Sequence, residues 1–518
     1  MGDQITSGAL GACGRRGAGW RTTVLVVCCH LAWWPVAWPA WAAPDEDAVR
    51  WHEARESLEA QRAREARDRF QRLFDSPAFR FPALIGAAEA SAMLDEPETA
   101  LVYYQRALSL PDLTPGDERR ALFGSARILV WLGRYPEAET RYRRLLTRPL
   151  DAQDERVART GLIRSLALQD RPMAAYRFGR DIPESADAAE RFELARAALW
   201  AGWPDKAQAL LSAVAETDGR LADDVAGLRR DLADETGHPL TLRVDGSRDS
   251  DGFDADTTEL TVGARIDGRR TVAGIVRWQS FRQRERRVYG RGLQARYEAR
   301  VGDHLRLMLQ GGLVRYGDRN TGVWSSRAVY RPADAVRVEA GATREVVESF
   351  PSFDRGVTAD TLALSAEYRI THAVTSGAGV FGRRFSDGNE RLGLSGNGRV
   401  VLSERVGLSA QLRARIFASS RNDVSGYFNP ERFHETQIVM VVNRRLAPGW
   451  RLEVLAGPGL QRAAPGGGSR TSLMETQLAA RLPGCLSSTL GVGYSDSALA
   501  SASGYERYYG HVAISCPW

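Results

Sequence analysis

One lysine, Lys206, stands among the 70 basic residues of this 518-residue chain. A phosphate-cradling glycine loop requires a lysine at its end, and no such loop leads into Lys206. No nucleophile elbow and no paired metal ligands occur either. The seven histidines are scattered without ligand spacing, so no catalytic residue, metal or cofactor is expected. Beyond the N-terminus there is no run of 18 apolar residues, which excludes a bundle of membrane-spanning helices. It does not exclude a β-barrel, whose strands need only about 10 alternating residues each. Nucleic acid is suggested by nothing more than a basic excess, and export of the chain would argue against it, so it is not an expected partner.

The first 42 residues read as a secretory leader. Arg15, Arg16 and Arg21 supply the positive start, Thr22 to Ala32 the apolar stretch, and Ala40-Trp41-Ala42 the small residues before the cut. A membrane anchor is the alternative, but Pro35 and Pro39 interrupt the short apolar run. Removal of the leader takes Cys13, Cys28 and Cys29 and leaves Cys485 and Cys516.

From Ala43 to Gly237 the pattern is helical and repeats. Leu132-Gly133-Arg134-Tyr135-Pro136-Glu137-Ala138 is followed by Tyr142, Leu145 and Pro149. Glu96 to Ala100 leads in the same way to Tyr104, Ala107 and Pro111, and Ala66 to Phe70, Leu73 and Pro77. Aligning Ala66, Ala100, Ala138, Ala175 and Ala207 gives spacings of 34, 38, 37 and 32 residues. A Gly-x-Tyr turn, a small Ala and a closing Pro at this period resemble tetratricopeptide repeats. That resemblance implies about five stacked helix hairpins with a concave groove for a partner, against the alternative of an irregular helical bundle.

Past Gly237-His238-Pro239 the period becomes two. Leu260, Val262, Ala264 and Ile266 alternate with polar residues, as do Leu305, Leu307 and Leu309, and Leu408, Ala410, Leu412, Ala414 and Ile416. Turn signals such as Asp267-Gly268, Asp387-Gly388-Asn389 and Pro448-Gly449 separate about 16 such segments between 238 and 518. A soluble β-sandwich would alternate similarly. Aromatics near segment ends (Trp278, Tyr289, Tyr297, Tyr316, Trp324, Tyr330, Tyr368, Trp450, Tyr494) and a last segment alternating to Trp518 favour an antiparallel transmembrane barrel.

In a barrel, side chains two apart share a face. Arg265, Arg296, Glu298, Arg306, Arg337, Glu339, Glu367, Arg369, Arg413, Arg415, Arg451 and Glu453 all fall opposite the apolar residues of their segments and are expected to line the lumen. Leu240 to Trp518 holds 38 Arg against 28 acidic residues, an excess that favours a neutral or anionic passenger. A hairpin of Leu486–Asp496 with Tyr505–Ser515 would set Cys485 opposite Cys516 and permit a disulfide. Cys485, however, is out of phase with Leu486 and Leu490, which leaves the bond open.

A tetratricopeptide region joined to a C-terminal barrel resembles the outer-membrane exporters of bacterial exopolysaccharides, the cellulose-export subunit and the poly-N-acetylglucosamine export porin. Ser425-Gly426-Tyr427-Phe428-Asn429-Pro430 is similar to a loop motif of the cellulose type. The resemblance implies a Gram-negative outer-membrane porin whose periplasmic repeats bind polymer or synthesis proteins at the inner membrane or in the periplasm, with lipid around the barrel. Fewer repeats are present here than in cellulose exporters. A surface lipoprotein assembly modulator, expected to have 14 strands, and a non-transporting scaffold are the alternatives.

Overall fold

In the computed structural model the described residues are 46–181, 187–214, 220–424, 426–498 and 506–518. The expected leader, 1–42, lies outside them. Among the described residues no helix is long and apolar enough to cross a membrane.

Among the described residues eleven helices precede the first strand: α1 (Glu46–Glu59), α2 (Ala63–Gln71), α3 (Arg80–Met93), α4 (Pro97–Leu108), α5 (Pro115–Trp131), α6 (Tyr135–Leu146), α7 (Ala152–Leu168), α8 (Pro172–Gly179), α9 (Ala188–Trp200), α10 (Pro204–Ser212) and α11 (Arg220–Thr236). Long and short helices alternate. Proline opens α4, α5, α6, α8 and α10, where a missing N–H leaves no bond unmade. The side chains of Thr114, Asp151 and Asp187 cap α5, α7 and α9. Shortly after α1, α3, α5, α7 and α9 comes a left-handed residue, Gln61, Asp95, Gly133, Asp170 and Gly202 in turn, which reverses the chain into the short helix.

Ala66, Ala100, Ala138, Ala175 and Ala207 sit in the five short helices, and all are fully buried. Four residues on from the first three stand Phe70, Tyr104 and Tyr142, whose rings reach against Gly86, Gly124 and Gly161 of the next long helix. A Cβ at those glycines would come within 2.5, 2.3 and 2.2 Å of the rings. Ring and glycine together set how closely successive hairpins approach.

Sixteen strands close into one antiparallel barrel in sequence order, with β1 hydrogen-bonded to β16. They are β1 (Leu240–Asp249), β2 (Phe253–Asp267), β3 (Arg270–Gln283), β4 (Arg286–Val301), β5 (Leu305–Tyr316), β6 (Arg319–Ala333), β7 (Val336–Val346), β8 (Thr358–Arg369), β9 (Val374–Phe385), β10 (Glu390–Ser403), β11 (Leu408–Ser419), β12 (Arg432–Ala447), β13 (Trp450–Ala464), β14 (Gly468–Arg481), β15 (Ser487–Ser495) and β16 (Arg507–Ser515). A short helix, α12 (Phe350–Arg355), lies between β7 and β8.

The outer face is apolar and exposed: Leu293, Leu313, Leu362, Leu392, Leu412 and Leu460 are examples. Aromatics ring it at two heights, with Tyr330, Tyr368, Trp450 and Trp518 toward the helical end and Tyr289, Trp324 and Tyr508 toward the other. Turns at the helical end are short, whereas the far end carries the connection 347–357 and the described parts 420–424, 426–431 and 496–498 of two others.

Two expectations are corrected. Tyr316 belongs to the inward set of β5, being in antiphase with Leu309 and Leu313, and its ring stacks 5.1 Å from Phe353 inside the barrel. The β15–β16 hairpin pairs Ser487 with Ser515, one residue from the expected register. Cys485 and Cys516 lie beyond the ladder and are joined by a disulfide with Cα atoms 4.9 Å apart. The phase mismatch seen in the sequence disappears because neither cysteine is a strand residue.

Candidate functional site: the lumen and its mouth

The turn edge of the helical stack follows the rim of the barrel. Gly133 lies beside Glu404 of the β10–β11 turn. Asp170 accepts from Arg369 at the end of β8. Both carboxylate oxygens of Asp334, in the β6–β7 turn, accept at 2.8 Å from the Met173 and Ala174 amides, which are free N–H groups at the start of α8. The Trp203 indole donates to the Asp303 carbonyl at 2.6 Å, and Lys206 pairs with the Asp303 carboxylate at 2.7 Å while lying over the Tyr176 and Trp203 rings.

The last helix before the barrel seals this contact with charge. Asp231 and Asp234 pair with Arg481 at 2.7 and 2.6 Å, and Glu235 with Arg300 and Arg306. Arg265 donates to the Glu235 carbonyl. His238 and Trp518 exchange backbone hydrogen bonds at 2.9 and 3.2 Å, so the C-terminus is pinned at the junction of the two parts.

Ten of the twelve charged residues expected in the lumen crowd into this end of the barrel. Arg265, Arg296, Glu298 and Arg306 line a cavity of about 320 Å³ under α11. Arg337, Glu367 and Arg369 surround a small recess against α8. Glu339 is bound by Arg337 at 2.7 Å and Arg327 at 3.1 Å. Glu453 accepts from Asn443 at 2.8 Å, and Arg451 lies two residues away on the same face, at the start of β13. Only Arg413 and Arg415 stand at mid-height, well apart from the others.

Further up, a cavity of about 780 Å³ occupies the outer half of the lumen. Its lining includes Arg277, Gln294, Gln310, Glu345, Arg383, Arg391 and Arg415. Arg277 pairs with Glu259 at 2.6 Å and Arg383 with Glu345 at 3.1 Å, which compensates the β2–β9 wall. Gln279 accepts from the Tyr316 hydroxyl at 2.8 Å and donates to Glu348 at 3.0 Å.

Toward the far end the lumen narrows on folded-in connections. Phe350 and Phe353 of α12 pack against the inward rings Phe253 and Phe281. Tyr427 stacks on Phe385 at 4.4 Å, and Phe428 packs with Phe417 and Phe433. Burial pushes the Tyr427 hydroxyl up to about 12, so it remains a neutral donor to Asp387 at 3.0 Å. The segment 426–430 therefore acts as a structural anchor of the mouth; Ser425 lies outside the described residues.

These inward rings were missed as a group. Their signal is phase: Phe253, Phe281, Phe385, Phe417 and Phe433 fall in step with the polar residues of their strands, not with the apolar ones.

No protein-family model matches the sequence, and no curated protein matches it. Among solved structures the chain is similar to a bacterial polysaccharide outer membrane secretin, at 14% identity and a TM-score of 0.45, over 55% of this chain and 99% of that one. CdiB from Acinetobacter baumannii is similar at 10% identity and a TM-score of 0.35, over 54% and 60% of the two chains. OccK7 of Pseudomonas aeruginosa is similar at 11% and 0.30, over 54% and 97%. At such identities and scores a likeness is no guide to function.

Proposed function

We propose that the protein is a Gram-negative outer-membrane channel that exports an exopolysaccharide, received from a tetratricopeptide-type solenoid in the periplasm. In this reading residues 43–237 form the solenoid and 238–518 the channel. The observation that carries it is the docking of the helical turn edge along the short-turn rim of a closed sixteen-stranded barrel with a polar interior. A wall of this many strands encloses more space than its own side chains fill. An apolar outer band ringed by aromatics suits lipid, with short turns on the periplasmic side.

The stack hands polymer or synthesis proteins to the mouth, and polymer growth at the inner membrane supplies the thrust. Sixteen strands fit this reading better than lipoprotein assembly, for which fourteen are expected. In a deletion strain, secreted polymer should vanish and polymer accumulate in the periplasm, with both reversed by the full chain. Undiminished secretion in that strain refutes export.

A further inference from the structure

The lumen wall is not charged evenly. On the β2–β9 side most of its arginines meet carboxylates, as in the pairs of Arg277 with Glu259, Arg327 and Arg337 with Glu339, and Arg383 with Glu345, whereas Arg296 donates to Gln310 and Arg265 to backbone carbonyls. Arg391, Arg399, Arg413 and Arg415, on β10 and β11, differ. Among the described residues none of the four has a carboxylate within ion-pair distance. Arg399 donates to the Ser409 hydroxyl at 3.2 Å, Arg413 to the Gln411 side chain at 2.8 Å, and Arg391 to the Phe428 carbonyl at 2.6 Å, while its guanidinium lies 4.3 Å over the Phe417 ring. Among the described residues no hydrogen bond holds Arg415, which borders the 780 Å³ cavity. The carboxylate nearest in register is Glu435 on β12, directly across from Arg415. It instead accepts from the Ser497 hydroxyl and the Gln437 amide.

We propose that β10 and β11 carry a binding track for an acidic polysaccharide, one that bears carboxylates along the chain. The proposal rests on the reading of the barrel as a polysaccharide channel and names its substrate class. Cross-strand pairing places Arg399 beside Gln411, Asn397 beside Arg413 and Ser395 beside Arg415, so these three arginines occupy successive inward levels, and Arg391, beside Ser419, follows two levels on, past Gly393 and Phe417. Successive inward positions on a strand lie about 7 Å apart, or roughly 5 Å along the axis of a tilted barrel. That step is about the span of one pyranose ring.

Between the arginines stand Ser395, Asn397 and Gln411, which can donate to and accept from sugar hydroxyls. On β9, Gly379 and Gly377 pair with Ser395 and Asn397 and leave the wall without bulk there. Guanidinium forks bind carboxylates in two-point fashion. A row of them without carboxylate partners among the described residues attracts an anionic chain yet lets it step from one to the next.

The test uses the full chain in detergent at low salt, with labelled hexagalacturonate, a neutral galactose hexamer and hexaglutamate as probes. The acidic sugar should bind at least tenfold more tightly than the other two and weaken as salt is raised. R413Q/R415Q should weaken it at least tenfold and leave the neutral hexamer unchanged, and the single variants R413Q and R415Q should fall between. R50Q/R55Q, the same charge change on α1, should have no effect. Equal binding of acidic and neutral hexamers, or indifference to R413Q/R415Q, overturns the track. Hexaglutamate bound as tightly as the acidic sugar overturns its saccharide character. Preferential acidic-sugar binding in a protein whose deletion leaves polymer secretion intact upholds the track and removes the export reading; export without acidic preference does the reverse.

Discussion

Alanine in place of Gly124 and of Gly227 should move stability in opposite directions. Both glycines lie within helices, α5 and α11. Alanine gains about 1 kcal/mol over glycine in a helix interior. At Gly227 a Cβ meets nothing within 4 Å, so the gain stands alone. At Gly124 the Cβ would come 2.3 Å from the Tyr104 ring, which is 3% exposed and held between α4 and α5. Overpacking of this kind costs about 1–3 kcal/mol. The difference leaves G124A destabilised by up to about 2 kcal/mol, with G227A stabilised by up to about 1. For a helical part of this size each kcal/mol shifts the midpoint by about 2–4 °C. The helical transition of the full chain in detergent, followed at 222 nm, should fall by several degrees in G124A and rise in G227A. A rise in both would refute the ring-on-glycine account of hairpin spacing.

The same rings predict an alkaline limit. Burial pushes the Tyr104 and Tyr142 hydroxyls up to about 12, with Glu89 adding to the rise at Tyr104. Because these folded values exceed the unfolded value near 10, the stability involved is whole below pH 10 and is lost as pH rises through 12. Y104F/Y142F should blunt the loss of helical signal over that window, and an unchanged profile would contradict it. The Cys485–Cys516 bond spans 31 residues, for which chain entropy gives about 3–4 kcal/mol. A reductant, or C485S/C516S, should lower the temperature at which the barrel unfolds on semi-native gels; no change would remove that role. Breaking the mouth contact with E235Q leaves Arg300, only 16% exposed in its side chain, without its carboxylate. Faster protease release of the helical part is expected, and an unchanged rate would refute α11 as the clamp.

Much of this arrangement was readable in the sequence because each half obeys one period. Leu408, Ala410, Leu412 and Ile416 alternate so regularly that their strand and its faces follow directly, and the alanine series from Ala66 to Ala207 marked the five short helices. The partners of those alanines were less visible. Gly86, Gly124 and Gly161 only acquire meaning opposite Phe70, Tyr104 and Tyr142, a contact between hairpins that no local window contains. The folding-in of 347–357 and 426–430 was illegible for the same reason: α12 is held by rings on β2 and β3, far away in sequence. Alternation also assigns a residue to a face and not to a depth. The expected wall charges therefore could not be seen to concentrate at one mouth, where α11 pairs with Arg306 together with Arg300 and Arg481. The expected hairpin at β15 and β16 set Leu486 opposite Ser515, residues of opposite faces, whereas the ladder pairs Ser487 with Ser515 and leaves Cys485 and Cys516 beyond it.

The central claim is that the barrel passes a polymer that enters from the helical side. Single-channel recording on the full chain in a planar bilayer tests it most directly. The account predicts steady, anion-favouring conductance that falls transiently when acidic oligosaccharide is added on the helical side, and loss of that selectivity in R413E/R415E. A barrel that conducts no ions, or whose current ignores both the oligosaccharide and the charge reversal, would contradict it.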